Sequence, residues 1–261
     1  MKNLIILLLI LSTVIISCQQ SETTTSVVHD GIRWTSENET ASYLASAGLL
    51  HFVNVEFDKA YTMSEHAVMV DSSLFASHTL LAILSRGEKR EYHKSMAKKF
   101  VAGENETSRL YVSLLDVEKD STGAKRRAIW ADMRALSNGP FIHHMYARTR
   151  DATDDKLAVV NELNKVIAFC EENKMMDMAA ASYNQRGYRQ QLAGDLAGGT
   201  ASIDRYVELY PDGHNSLDSR AEFYLLAGDT ANAIVWYKKV RNKYPYSQSA
   251  QTQLALLEPR K

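Results

Sequence analysis

Histidine and acidic side chains are the residues of this sequence that could hold a metal ion or transfer a proton. His143 and His144 are adjacent, so on a helix their side chains point about 100° apart and do not form a metal-binding pair. No G-x-S-x-G, glycine-rich phosphate loop, H-E-x-x-H or C-x-x-C motif occurs in the chain. We therefore expect no metal, no cofactor and no enzymatic reaction, although catalytic residues can be distant in sequence. The histidines of the predicted N-terminal helices are scattered, which favours surface positions or internal hydrogen bonds: His51, His66, His78 and His93.

The N-terminus has the pattern of an export signal. Lys2 precedes an apolar run from Leu4 to Ile16, which is too short to span a bilayer comfortably. The following Ile-Ile-Ser-Cys resembles a bacterial lipoprotein signal, which implies cleavage of residues 1–17 and lipidation of Cys18. The alternative is an ordinary secretory peptide with an incidental cysteine. Residues 18–36 begin with a polar, Ser- and Thr-rich stretch, so we expect a flexible tether before the first packed helix.

Charge and cysteine content narrow the class of protein. The chain has 30 Lys and Arg against 31 Asp and Glu, so it lacks the net basic footprint of a nucleic-acid-binding protein. The locally basic stretch 85–100 is better explained by a solvated helix face than by a binding patch. Cys170 is the only cysteine besides Cys18, which excludes an internal disulfide framework, and its apolar neighbours predict a buried side chain.

One sequence frame occurs twice near the C-terminus. Residues 183–216 align with residues 217–250 at an offset of 34, and eight aligned positions are identical. The identities include a Gly-Asp pair and a Tyr-Pro pair in each copy. A period of 34 residues with helical apolar spacing is that of a helix-pair repeat.

This repeat resembles the tetratricopeptide (TPR) family, in which helix pairs stack because a single pair cannot bury its apolar face. Glycine at the first turn can adopt positive φ, the following Asp can cap the second helix, and proline ends the repeat. Small and apolar side chains on the second helix would pack at the helix crossing. The residues with these structural roles are Gly194, Asp195, Pro211, Gly228, Asp229, Ala233, Tyr237 and Pro245.

Fainter copies lie upstream. One contains Gly48, Ala60 and Ala67, with Val55 where the family usually has glycine, and a second runs from Gly123 to Pro140. We therefore predict an all-α, right-handed α-solenoid with degenerate repeats in residues 37–180. Residues 181–261 would form two clearer repeats and a C-terminal capping helix.

The resemblance also implies a concave groove lined by the first helices of successive repeats. Matching that frame gives two trios, which are Asn184, Tyr188 and Gln191, and Asn215, Asp218 and Glu222. Their spacing of three and four residues places each trio on one helix face, and the acidic pair would favour a basic segment. The alternative is an ordinary polar outer face. The matching upstream positions are apolar, so we expect that face to be core or to be covered by the segment around Trp34: Ala45, Leu49 and Phe52.

These features predict a lipid-anchored TPR scaffold of the bacterial cell envelope, in the outer membrane on either face. Its partner would be another envelope protein or a peptide segment, with no nucleic acid, and the sequence sets no oligomeric state. The alternative is a surface protein that binds glycans or nutrients, which would need exposed aromatic platforms. Trp130 and Trp236 fall on second helices, where we expect them to be packed.

Overall fold

The computed structural model describes residues 31–117, 123–149 and 155–258. These residues form thirteen α-helices and one short 3-10 turn, and they contain no β-strand. The helices are α1 (Glu39–Val53), α2 (Phe57–Val70), α3 (Phe75–Leu84), α4 (Gly87–Phe100), α5 (Glu106–Ser113), α6 (Ala124–Leu136), α7 (Pro140–Thr149), α8 (Lys156–Glu172), α9 (Met176–Leu192), α10 (Leu196–Leu209), α11 (His214–Leu226), α12 (Thr230–Lys243) and α13 (Gln248–Leu257), with the 3-10 turn at Leu114–Asp116. The prediction of an all-α solenoid of stacked helix pairs is confirmed.

Four turns between successive helices are built alike. In each, a backbone N–H donates to the carbonyl oxygen five residues earlier, from Glu56 to His51, from Met175 to Cys170, from Asp195 to Gln190 and from Asp229 to Tyr224. The residue before each donor has left-handed φ, and it is glycine in the last two turns but Val55, at φ 65°, and Lys174, at φ 58°, in the other two. A β-branched residue is strained in this conformation, so the repeat geometry holds even where the glycine has been lost.

The C-terminal repeats have the predicted markers in the predicted roles. Asp195 Oδ1 accepts a hydrogen bond from the Gly198 N–H at 2.8 Å, and Asp229 Oδ1 accepts one from the Asn232 N–H at 3.1 Å. Gly194 and Gly228 have φ of 91° and 77°. Pro211 and Pro245 lie two residues beyond the ends of α10 and α12, while Ala233 and Tyr237 are buried.

A close helix crossing explains the pair of small residues in α9 and α10. A Cβ atom added at Gly199 would lie 2.8 Å from the carbonyl oxygen of Gly187, which is closer than real Cβ contacts come. The two backbones therefore touch at this point, and only glycine allows that approach.

The N-terminal half is closed on itself. Helix α1 contacts α3 and α9, α3 contacts α5, and α7 contacts both α6 and α9, so the helices complete a circuit. Ala45, Leu49 and Phe52 point into the buried core of this circuit, as the sequence predicted. Its centre is therefore filled with side chains and does not form an open groove.

The N-terminal segment 31–36 belongs to this core, which corrects the predicted tether of residues 18–36. Ile32 and Trp34 are 3% and 1% exposed, and the Trp34 ring packs against Tyr111 and Phe141. The Arg33 guanidinium holds the segment in place through two hydrogen bonds to Glu104. These two apolar side chains are two positions apart in an extended segment. Their burial stabilises the fold by more than the conformational entropy that the segment would keep as a free tether. The signal peptide, Cys18 and residues 18–30 lie outside the described residues and remain predictions.

A buried carboxylate joins the first repeat to the C-terminal repeats. Glu56, in the turn between α1 and α2, accepts hydrogen bonds from Tyr210 Oη at 2.6 Å and from the His214 N–H at 3.3 Å. It also contacts His51 Nδ1 at 2.8 Å and Lys59 Nζ at 3.0 Å. Burial alone would raise the pKa of Glu56, but the hydrogen bonds from His51, Tyr210 and Lys59 lower it to about 2.

Candidate partner-binding surface

Tyr188 on α9 and Glu222 on α11 form the centre of the candidate surface. The Tyr188 hydroxyl donates to Glu222 Oε2 at 2.5 Å, and its oxygen accepts from the Ser219 hydroxyl, with 3.2 Å between the two oxygens. The Tyr188 ring also packs edge-on against Phe223, with ring centroids 5.3 Å apart. Burial and the nearby Glu222 carboxylate raise the pKa of Tyr188, so its hydroxyl remains a proton donor at neutral pH.

A cavity of about 370 Å³ opens beside this pair, and we call it the acidic pocket. Asp218 and Glu222 of α11 face Ser249 and Gln253 of α13 across it, and Tyr237 of α12 lines its side. The pocket is completed by Leu225 and Leu226. Three helices therefore contribute to it, because the α11–α12 repeat ends against the capping helix α13.

Asp218 is held in the acidic pocket with part of its hydrogen-bonding capacity unused. Its Oδ2 accepts a hydrogen bond from Ser249 Oγ at 3.2 Å, whereas its buried Oδ1 has no hydrogen-bond partner among the residues described. Burial raises the pKa of Asp218, and the negative charge of Glu222 adds to that rise. A buried carboxylate oxygen without a partner favours the approach of a hydrogen-bond donor or a cation.

The charge of the acidic pocket is not neutralised within the described part of the chain. No Lys or Arg there forms an ion pair with Asp218 or Glu222. A cationic group entering the pocket would find two carboxylates, two polar side chains on α13 and an apolar edge. This combination suits the ammonium or guanidinium group of a Lys or Arg side chain.

The six residues predicted to line one groove are divided among separate places. Asn184 lines a different cavity between α1, α7 and α9, and Tyr188 lines it too. Asn215 donates to Tyr206 Oη at 3.2 Å, and Gln191 lies in neither cavity. Helix α1 contacts α9 beside the cavity that Asn184 lines.

Sequence reasoning missed Ser249 and Gln253 as part of this surface. They are four residues apart on α13, which is the spacing that puts two side chains on one helix face. That signal was present, but a capping helix is expected to cover apolar surface and not to line a pocket.

The adjacent residues His143 and His144 lie in different surroundings. His143 Nδ1 contacts Glu162 Oε1 at 2.6 Å, whereas His144 is buried and its Nδ1 contacts Ser182 Oγ at 3.0 Å. The two imidazole rings therefore contact different residues. Within the described ranges, no three His, Cys, Asp or Glu side chains are placed to hold a metal ion. Cys170 is fully buried, as predicted.

The two tryptophans of the second helices differ in their burial. Trp130 is 4% exposed and packs against Tyr111 and Phe141, so it offers no exposed platform to a sugar ring. Trp236 is half-buried and packs against Tyr224 and Lys239. None of the described helices combines the length and the apolar character needed to cross a bilayer.

Comparisons with known proteins identify the fold. No protein-family model matches the sequence, and a search of curated proteins gives no match. Among solved structures, a chain from the crystal structure of the APC/C hetero-tetramer Cut9–Hcn1 superimposes with a TM-score of 0.53 at 11% identity. That alignment covers 85% of this chain and 43% of the other, so this chain spans less than half of its length. The structure of the MamA protein aligns with a TM-score of 0.35 at 15% identity, covering 85% of this chain and 98% of that one. The fold is that of a tetratricopeptide-repeat solenoid.

Proposed function

We propose that the protein is a lipid-anchored scaffold of the bacterial cell envelope that binds a protein partner through the acidic pocket. The partner would insert a Lys or Arg side chain between Asp218 and Glu222. The observation that carries this proposal is the pair of carboxylates, one partly buried and short of a hydrogen-bond partner, with no cation of the described chain beside them.

The helical scaffold supports this role in a simple way. Helices α11 and α13 face each other across the acidic pocket, and Tyr188 of α9 reaches α11 through its hydrogen bond to Glu222. Tyr188 is held by Glu222 and Ser219, so it offers a rigid aromatic edge beside the charged pocket. Rigid aromatic and charged groups at the centre of a surface are typical of residues that dominate binding energy. The proposal assigns the protein no reaction of its own and no cofactor.

Crosslinking in living cells of the source bacterium tests this proposal. The full-length protein would be purified in detergent and its crosslinked proteins compared between the wild type and the double variant Asp218→Asn, Glu222→Gln. The matched control is Glu172→Gln, Glu208→Gln, which changes the net charge equally at exposed positions on α8 and α10. We expect one discrete partner to be lost from the pocket variant and retained by the control. A partner retained equally by both variants would contradict the pocket assignment.

The lipid anchor requires its own experiment because Cys18 lies outside the described residues. Replacing Cys18 with Ser should move the protein from the membrane fraction to the soluble periplasmic fraction. Mass spectrometry of the mature wild-type N-terminus should show an acylated Cys18. An unmodified N-terminus at another residue would support the alternative of an ordinary secretory peptide.

A further inference from the structure

The cavity that Asn184 lines has a volume of about 340 Å³ and a basic wall, and we call it the basic cavity. Its charged lining residues are Arg148, in the last turn of α7, and Arg189 on α9, and no described Asp or Glu lines it. Arg189 Nη2 donates to the Arg148 carbonyl oxygen at 3.5 Å, so the two arginines stand side by side. Arg148 is exposed, and no carboxylate among the described residues forms an ion pair with it. An exposed guanidinium without a carboxylate favours the entry of an anionic group.

The basic cavity and the acidic pocket occupy equivalent positions in successive repeats. Three residues of α9 line the basic cavity, and the residues 34 positions later, on α11, line the acidic pocket. These pairs are Asn184 with Asp218, Tyr188 with Glu222 and Leu192 with Leu226. The same position of the solenoid is therefore basic in one repeat and acidic in the next.

Tyr188 joins the two cavities. It lines the basic cavity, and its hydroxyl donates to Glu222 of the acidic pocket at 2.5 Å. Its ring also packs against Phe223 of α11, with ring centroids 5.3 Å apart, so α9 and α11 are in direct side-chain contact here. The axes of helices packed in this way lie roughly 10 Å apart, which sets the spacing of the two charged sites.

We propose that the partner segment carries both charges, with its Lys or Arg in the acidic pocket and an Asp or Glu in the basic cavity beside Arg148. This inference rests on the proposed function, which assigns only the basic side chain. In a polyproline II conformation, residues three positions apart lie on one side of the chain and about 9 Å apart. The acidic residue of the partner is therefore about three positions from the basic one. A segment with basic residues alone is disfavoured, because it brings a like charge toward Arg148.

Photocrosslinking of the full-length protein in living cells tests this proposal. Benzoylphenylalanine replaces Leu192 of the basic cavity or Leu226 of the acidic pocket, which are 48% and 41% exposed and so tolerate a larger side chain. The same probe at Met69 of α2, which is exposed and lines neither cavity, measures the background. Mass spectrometry then identifies the crosslinked peptides. The charge is tested with Arg148→Glu, and Arg241→Glu on the exposed face of α12 is the matched control.

The expected result is that both positions capture one segment of one partner, with an acidic residue at the Leu192 crosslink and a basic residue at the Leu226 crosslink. The yield from Leu192 should fall about fivefold or more in Arg148→Glu, because an attraction becomes a repulsion, and should not change in Arg241→Glu.

The inference is overturned if Leu192 captures no more than Met69 does, or captures a different protein or a segment without an acidic residue. Equal yields in Arg148→Glu and Arg241→Glu would also overturn it. In each of these cases, a basic segment captured from Leu226 would leave the proposed function standing. Capture from neither position would contradict both.

Discussion

Replacing Glu56 with Gln should remove a distinct part of the acid sensitivity of this protein. Glu56 is 3% exposed and its pKa falls from an ordinary 4.5 to about 2. A difference of this size corresponds to about 3 kcal/mol of stability at neutral pH. Because the pKa is lower in the folded state, this stability is present above the unfolded pKa and is lost as the pH falls toward the folded pKa. Between about pH 5 and about pH 3 the wild type should lose about 2 kcal/mol from Glu56.

The assay is thermal unfolding followed by circular dichroism over this pH range. A loss of about 2 kcal/mol lowers the melting temperature by roughly 4–8 °C in a chain of this size. Glu56→Gln should lack this part of the decrease. Burial lowers the pKa of His78 to about 4 and that of His144 to about 3, so both also cost stability in acid, but they are present in both proteins and cancel. The exposed Glu208→Gln serves as the control and should follow the wild type.

The result that would refute this reasoning is a parallel pH dependence. If the melting temperature falls by the same amount in Glu56→Gln and in the wild type between about pH 5 and about pH 3, Glu56 does not have a lowered pKa in the folded protein. The junction between the first repeat and Tyr210 would then be stabilised by packing and not by the buried carboxylate.

Three further changes test the packing of the solenoid by chemical denaturation. Gly199→Ala should destabilise the protein by about 1–3 kcal/mol, because its Cβ would meet the Gly187 carbonyl at 2.8 Å; an unchanged midpoint would contradict the close crossing. Val55→Gly should stabilise it by about 1 kcal/mol by relieving left-handed strain, and a loss of stability would mean that the side chain matters more than its φ of 65°. Trp34→Ala should lower the free energy of unfolding by about 3–5 kcal/mol, since the ring is 1% exposed. A decrease below about 1 kcal/mol would mean that residues 31–36 belong to the flexible tether after all.

The fold could be predicted from the sequence wherever a marker has a single mechanical role. Gly194 and Asp195 determine a left-handed turn and a helix cap through local geometry, so no distant residue was needed to interpret them. Val55 is the opposite case. There the neighbouring helices impose a left-handed turn on a residue whose own side chain disfavours it. The burial of Trp34 was predicted in part, since an apolar face on α1 required a cover.

The candidate site was predicted less completely because it depends on distances between helices. Tyr188 and Glu222 were assigned to one surface, and they share a hydrogen bond at 2.5 Å. The repeat alignment could not show that α1 contacts α9, since that contact depends on the superhelical path of all the repeats between them. That Asp218 Oδ1 has no partner among the described residues was likewise invisible, because only side-chain packing reveals which polar groups lack partners.

The bond between Glu56 and Tyr210 also determines how this molecule responds to force. Repeat solenoids usually extend like springs, because each repeat touches only its neighbours. Here a hydrogen bond joins two residues that are 154 positions apart. The repeats between them therefore cannot be pulled apart without breaking it. Helices α11 to α13 have a hydrophobic cluster of their own beyond that bond. A partner pulling on the acidic pocket would therefore load the junction at His214, where Glu56 also holds the N-terminus of α11, before it could extend the N-terminal circuit.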